Sequence, residues 1–315
     1  MNAEVQASDS GRSALLAALA SLNQVLLGKE REVRLALACL LARGHLLIED
    51  IPGVGKTTLA HALARVLGLS YQRIQFTSDL LPADVIGISV YDRASGRFKF
   101  HRGPVFAQLV MADEVNRATP KAQSALLEAM EERQVTVDGE THALPEPFFI
   151  VATQNPAFQI GTFPLPESQV DRFLMRIELG YPAAGHERQL LRGRDRRDLL
   201  AELPAALDSA SIPTLQKRVT EIHASDALVD YVQALARASR EAGRHQAGLS
   251  PRAVIALLRA AQAWAFLHGH AGVLPEDLQA VLPAVVGHRL RPRDAADGRG
   301  PAEVAAALLK SVPIP

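Results

Sequence analysis

The chain is predicted to fold as an α/β protein, a five-stranded, mostly parallel sheet covered by helices and followed by an all-helical region. Three observations predict this: five short apolar runs alternate with helical stretches, the strand signals stop near residue 182, and helical periodicity dominates afterwards. A length of 315 residues suits a large domain plus a smaller one, and 48% hydrophobic with 22% charged residues is the balance of an ordinary globular chain. Lys and Arg total 34 against 34 Asp and Glu, a neutrality that disfavours a dedicated nucleic-acid binder. The single cysteine, Cys39, sits in an apolar run and has no disulfide partner. No leader pattern opens the chain and no apolar run approaches the roughly 20 residues of a membrane span, so a cytoplasmic protein without membrane insertion is expected.

Taken in order, residues 1–13 are expected to form a flexible tail, with the first helix opening at Ala14. The α/β part is expected over 14–182. Its apolar runs are 45–49, 72–76, 108–113, 148–153 and 173–177. Two hairpins interrupt them, one turning at Ser95-Gly96 and one at Asp138-Gly139, the latter a strong two-residue turn signal. Residues 183–315 are expected to be helical, with clear segments at 227–242 and 251–267 and a loop at 291–301. Trp264 falls at helical spacing with Ala260, Ala261 and Leu267 and is expected in the core. The mixed-sign run 192–198 reads as a solvated surface, and the scattered histidines have no metal-ligand spacing.

The first apolar run leads into Gly53-Val54-Gly55-Lys56-Thr57-Thr58 and then into helical periodicity, the strand-loop-helix setting of a P-loop. Glycines let backbone N–H groups approach phosphate oxygens, and the helix N-terminus adds positive dipole character. Lys56 would reach the β- and γ-phosphates of ATP and Thr57 would bind Mg²⁺. The full pattern asks for another glycine where this chain has Asp50. A P-loop alone suits a kinase, a GTPase or a motor ATPase, so the next carboxylates decide. The run 109–112 ends in Asp113-Glu114, which puts Asp113 where it can hold Mg²⁺ through water and Glu114 beside the γ-phosphate where it can activate the attacking water. The next run ends in Thr153-Gln154-Asn155-Pro156, so Asn155 lies beyond a strand's C-terminal end and can orient that water.

With these residues in hand the chain resembles AAA+ ATPases. More narrowly, Ala112-Asp113-Glu114-Val115-Asn116-Arg117-Ala118, followed by Gln123-Ser124-Ala125-Leu126-Leu127-Glu128-Ala129-Met130-Glu131-Glu132, resembles the MoxR family. The resemblance covers about residues 21–289. It implies an AAA+ core with a helical lid, a homo-oligomeric ring, as a hexamer, with ATP sites between subunits, and a chaperone-like ATPase that remodels a protein client carrying a von Willebrand A domain. It also implies that Asn155 is the sensor 1 residue, that 76–103 is the helix-2 insert of this clade, and that 134–144 is the hairpin preceding sensor 1. Arg172, in Asp171-Arg172-Phe173, matches the arginine finger that enters a neighbour's site; the plainer alternative is an ion pair with Glu167 or Asp171. Arg252 follows Ser250 as N-cap and Pro251 at N1, and matches sensor 2, a nucleotide-contacting position.

Three other functions compete with the chaperone-like motor: a nucleic-acid translocating motor of the same clade, a chelatase-like subunit that drives metal insertion, and a nucleotide-gated binding module. Charge neutrality speaks against the first and Glu114 against the last.

Overall fold

The computed structural model describes residues 2–155, 163–241, 246–291 and 300–314, with side chains from Gly11 onward. The interior of the loop expected at 291–301 therefore lies outside the described residues. Two helices come first, α1 (Asn2–Val25) and α2 (Glu30–Leu41), so the expected 13-residue tail is instead helical from Asn2. The apolar stripe Leu15, Ala18, Leu19 and Leu22 explains why this helix holds at its C-terminal half, since every member is buried.

The sheet is then laid down as β1 (Leu46–Glu49), α3 (Lys56–Val66), β2 (Tyr71–Gln75), α4 (Pro82–Ile86), the hairpin β3 (Gly87–Asp92) and β4 (Arg97–Arg102), β5 (Leu109–Asp113) and α5 (Pro120–Glu132). There follow the hairpin β6 (Gln134–Val137) and β7 (Glu140–Ala143), β8 (Phe149–Gln154), α6 (Glu167–Val170) and β9 (Met175–Ile177). The five apolar runs supply the five strands of one sheet in the order β2-β5-β8-β1-β9, and each of its pairings is parallel. Side chains alternate between two cores: Leu46, Ile48, Met111 and Val151 join one, and Leu47, Val110, Ala112 and Ile150 the other. Burial on both faces is why these strands read as continuous apolar runs rather than alternating ones. Asp138 and Gly139 both take positive φ, 51° and 83°, as a type I′ hairpin turn requires.

After Ile177 the described chain is helical: α7 (Ala184–Arg192), α8 (Arg196–Glu202), α9 (Ile212–Glu221), α10 (Asp226–Arg240), α11 (Pro251–His268), α12 (Pro275–Val286) and α13 (Pro301–Lys310). Ser250 caps α11 by accepting from the Ala253 amide at 3.1 Å, with Pro251 in the first turn. The charged run 192–198 coats the surface, where Asp195 caps α8 and Arg194 pairs with Glu202. Trp264 is half-buried rather than core, with Arg34 5.9 Å above its ring and His268 beside it. Cys39 is fully buried, and burial pushes its thiol far above the usual range. Among the described residues no helix is long and apolar enough to cross a membrane.

Candidate active site

Because the sheet is parallel, β1, β5 and β8 end on the same edge, and the three sequence signals converge there. Gly55 adopts φ 100°, ψ 17° immediately before α3, and Gly53 has φ 86°. A methyl group at Gly53 would meet nothing within 4 Å, so backbone conformation rather than space demands glycine there. Lys56 is buried; its Nζ donates to the Asp50 carbonyl at 2.5 Å and to Asn155 Oδ1 at 3.4 Å. Burial draws its ammonium below the ordinary lysine value, opposed by the charges of Asp50, Asp113 and Glu114. Thr57 and Thr58 follow in the first turn of α3, with Thr57 exposed.

Asp113 closes β5 with only 8% of its surface accessible. Thr153 donates its hydroxyl to Oδ1 at 2.5 Å, and the same hydroxyl accepts from the Glu114 amide at 2.9 Å. Glu114 is a non-glycine residue in the left-handed region, φ 56° and ψ 48°, a conformation that costs on the order of 1 kcal/mol. Its Oε1 accepts from Asn155 Nδ2 at 3.1 Å and Oε2 from Gln75 Nε2 at 3.0 Å, with Arg117 Nε 3.1 Å from Oε2. Asn155 thus touches both Lys56 and Glu114, joining the buried ammonium to the carboxylate. The turn after Glu114 is held by Gln123, whose amide nitrogen donates to the carbonyls of Val115, Ala118 and Phe163, each at 3.1 Å.

Sequence reasoning missed three residues. Arg73 and Gln75, two apart on β2 and so on one face, reach Asp113 and Glu114 respectively. The pairing of β2 with β5, which sets Gln75 opposite Asp113, could have found them, but that neighbour relation is not written in either strand. Asp50 is the third. Its carboxylate occupies the place of the missing glycine and accepts from the amides of Ile51 at 2.8 Å and of Leu179 and Gly180 at 2.6 Å each. It clamps the loop to the segment leaving β9, and Lys29 donates to the Leu179 and Tyr181 carbonyls of that segment.

Arg172 and Arg252 are brought together, and away from the group around Lys56. Arg172 Nη1 donates to the Leu127 carbonyl at 2.8 Å and lies 3.5 Å from Glu131, while Arg252 pairs with the other oxygen of Glu131. Neither ion-pair alternative for Arg172 holds, because Asp171 is taken by Arg289 at 2.7 Å and Glu167 by Arg291 at 3.2 Å. Arg172 precedes β9, so it sits near the N-terminal edge of the parallel sheet, on the order of 15 Å from the C-terminal edge that carries Lys56.

A buried lysine at a glycine loop, adjacent carboxylates and a bridging amide can bind nucleotide phosphates and activate a water against them. Comparison with known proteins agrees. Residues 45–175 match the ATPase family associated with various cellular activities (AAA), and residues 237–308 match the AAA lid domain. Chaperone MoxR1 of Mycobacterium tuberculosis is 39% identical over 87% of this chain and 74% of its own. Protein MoxR of Paracoccus denitrificans is 37% identical over 94% of this chain and 95% of its own. The crystal structure of a candidate ATPase from Cytophaga hutchinsonii superposes with a TM-score of 0.91 at 34% identity, covering 100% of this chain and 98% of that one. Glycine loop, paired carboxylates, helical lid and kinship together make this chain a nucleotide-binding ATPase of the MoxR family of AAA+ proteins.

Proposed function

We infer that the chain is the repeating subunit of a ring, a hexamer, that hydrolyses Mg-ATP between neighbouring copies to remodel a protein client. The observation that supports this best is the separation of two half-sites. Lys56, Asp113, Glu114 and Asn155 gather at one edge of the sheet, while Arg172 and Arg252 gather on Glu131 at the other end. Phosphoryl transfer needs cationic charge on the transferring group beyond one lysine. On this reading the arginines that match finger and lid positions supply it to another copy. Arg252 is therefore read as a contact to the neighbour's nucleotide rather than to its own.

In this reading residues 14–182 form the ATPase core and 183–315 the lid. Gly53, Val54, Gly55 and Lys56 cradle the phosphates, with Thr58 in the first turn of α3. Thr57 would hold Mg²⁺ and Asp113 would hold it through a water; a hydroxyl and a carboxylate are hard oxygen donors, and so few protein groups suit an ion that keeps its waters and takes phosphate oxygens. Bound there, the ion would neutralise charge on the β- and γ-phosphates. Glu114 takes a proton from the attacking water, and Asn155 fixes that water and the carboxylate relative to each other. The hairpin of β3 and β4 exposes Ile88, Val90, Tyr91 and Phe98, the last 73% accessible, and is the surface read as meeting the client. That the client carries a von Willebrand A domain rests on kinship with the MoxR proteins.

Steady-state hydrolysis measured against protein concentration tests the reading. The rate per subunit should rise with concentration in the unaltered chain and fall at least about 100-fold in Glu114→Gln, which should still bind nucleotide. A concentration-independent rate would remove the interface site. Pull-down on the ATP-trapped Glu114→Gln protein, with and without a von Willebrand A domain, then tests the client.

A further inference from the structure

Asp113 is already occupied. Arg73, on the edge strand β2, places both Nε, at 3.2 Å, and Nη2, at 2.5 Å, on the Oδ2 atom of Asp113. Thr153 holds Oδ1, so both oxygens of the carboxylate are engaged. The same Nη2 donates to Gln75 Oε1 at 3.1 Å, and Gln75 in turn donates to Glu114, so one polar chain runs from Asp113 through Arg73 and Gln75 to Glu114. The two partners differ in exposure: the Asp113 side chain is 11% accessible and that of Arg73 47%. Among the described residues no strand lies beyond β2 in the sheet, so the guanidinium borders solvent and can leave without breaking the sheet.

A carboxylate so nearly buried needs a counter-charge, and with two guanidinium donors on Oδ2 and a hydroxyl on Oδ1 it has no room for a hydrated divalent cation as well. Resting on the Mg²⁺ reading above, we propose that Arg73 is a positioning residue that stands in for the divalent cation on Asp113 and must be displaced when Mg²⁺-nucleotide loads, so that it sets the Mg²⁺ concentration at which the site fills. While it is in place it keeps Asp113 oriented and paired. Its half-exposed position makes the pair weak enough to yield to a hard dication, whereas an Arg73 buried on all sides would block the site. Arg73 donates nothing to the phosphates in this scheme, which separates it from Lys56.

The test uses the full chain in a Glu114→Gln background, so that binding is read without turnover, and a fluorescent ADP analogue as probe. Two quantities are measured for Arg73, Arg73→Gln and Arg73→Lys: the dissociation constant of the probe in EDTA, and the Mg²⁺ concentration that half-saturates the Mg²⁺-induced change at saturating probe. Removing the competing ion pair should lower the Mg²⁺ midpoint of Arg73→Gln about three- to tenfold with the EDTA constant unchanged. Arg73→Lys, which keeps the charge but loses the two-point contact, should fall between the two, and it carries the test alone if the glutamine variant does not fold. An unchanged or raised midpoint would overturn the proposal, the raised one assigning Arg73 to orienting Asp113 for the ion. If Mg²⁺ altered neither probe binding nor hydrolysis in the unaltered chain, the Mg²⁺ reading itself would fall and the proposal with it, an outcome distinct from failure of Arg73 alone.

Discussion

Asp50 shows how one side chain can depart from a pattern and gain a second use. Where a P-loop commonly has glycine, its carboxylate accepts three backbone amides, two of them from Leu179 and Gly180 across the sheet edge. Hydrogen bonds to a charged acceptor are about twice as strong as neutral ones. Asp50→Asn keeps the shape but removes the charge and one acceptor oxygen, and should destabilise the chain by about 1–3 kcal/mol. Urea denaturation should record this as a lower midpoint at unchanged slope; an unchanged midpoint would mean that the clamp contributes nothing. Glu114 makes the contrary case, a residue whose chemistry was legible from Asp113-Glu114 but whose left-handed backbone was not, because it goes with the hydrogen bond its amide donates to the Thr153 hydroxyl on another strand.

At the scale of elements, His45 pins the sheet to a helix at the edge opposite Lys56 and Asp113. Its Nδ1 accepts from the Ile150 amide at 3.0 Å on β8, which leaves Nε2 to donate to the Met130 carbonyl at 3.3 Å on α5, so the ring is neutral. Burial lowers its pKa from 6.5 to about 4, helped by the charge of Arg133. The unfolded chain therefore binds more protons between those two values. The stability this residue supplies is complete above about pH 6.5 and is lost as the pH falls towards 4, a change of up to about 3 kcal/mol. Buried His288, also held neutral chiefly by burial, acts in the same direction. Denaturation midpoints measured from pH 7 to 4 should fall steeply in the unaltered chain and less steeply in His45→Gln; equal slopes would refute the assignment.

For the whole molecule the question is whether two half-sites on one chain act on each other's copies. Arg172→Ala keeps its own Lys56, Asp113 and Glu114, whereas Glu114→Gln keeps its arginines. Each alone should be inactive. Mixed in equal amounts they should recover activity, since in the ring proposed above random assembly leaves about a quarter of the interfaces with an intact Arg172 facing an intact Glu114. ATPase assays on the mixture against each variant alone decide it, and no recovery would place Arg172 in its own subunit's site or outside catalysis. The helices after the sheet hold the same segment. Arg289 joins Asp171 and the Phe173 carbonyl, and Ser250 at the start of α11 donates to the other Asp171 oxygen at 3.3 Å, so the arginine-bearing segment is fastened to the helices that follow.

What the sequence determined by itself was local. Apolar runs buried on both faces located the five strands to within a residue or two. Asp138-Gly139 dictated a hairpin because both residues tolerate positive φ, and Gly53, Gly55, Lys56, Asp113, Glu114 and Asn155 stood out because each lies at or just beyond a strand end. The reach of α1 back to Asn2, the half-burial of Trp264, the Asp50 clamp and the Arg73–Gln75 chain were decided only in the folded molecule. So was the meeting of Arg172 with Arg252 on Glu131, residues far apart in the chain. The physical reason is the same in each case. Backbone conformation and burial periodicity are properties of neighbouring residues, whereas strand order, and with it the identity of the side chain across a carboxylate, is set by packing between segments that carry no mark of one another.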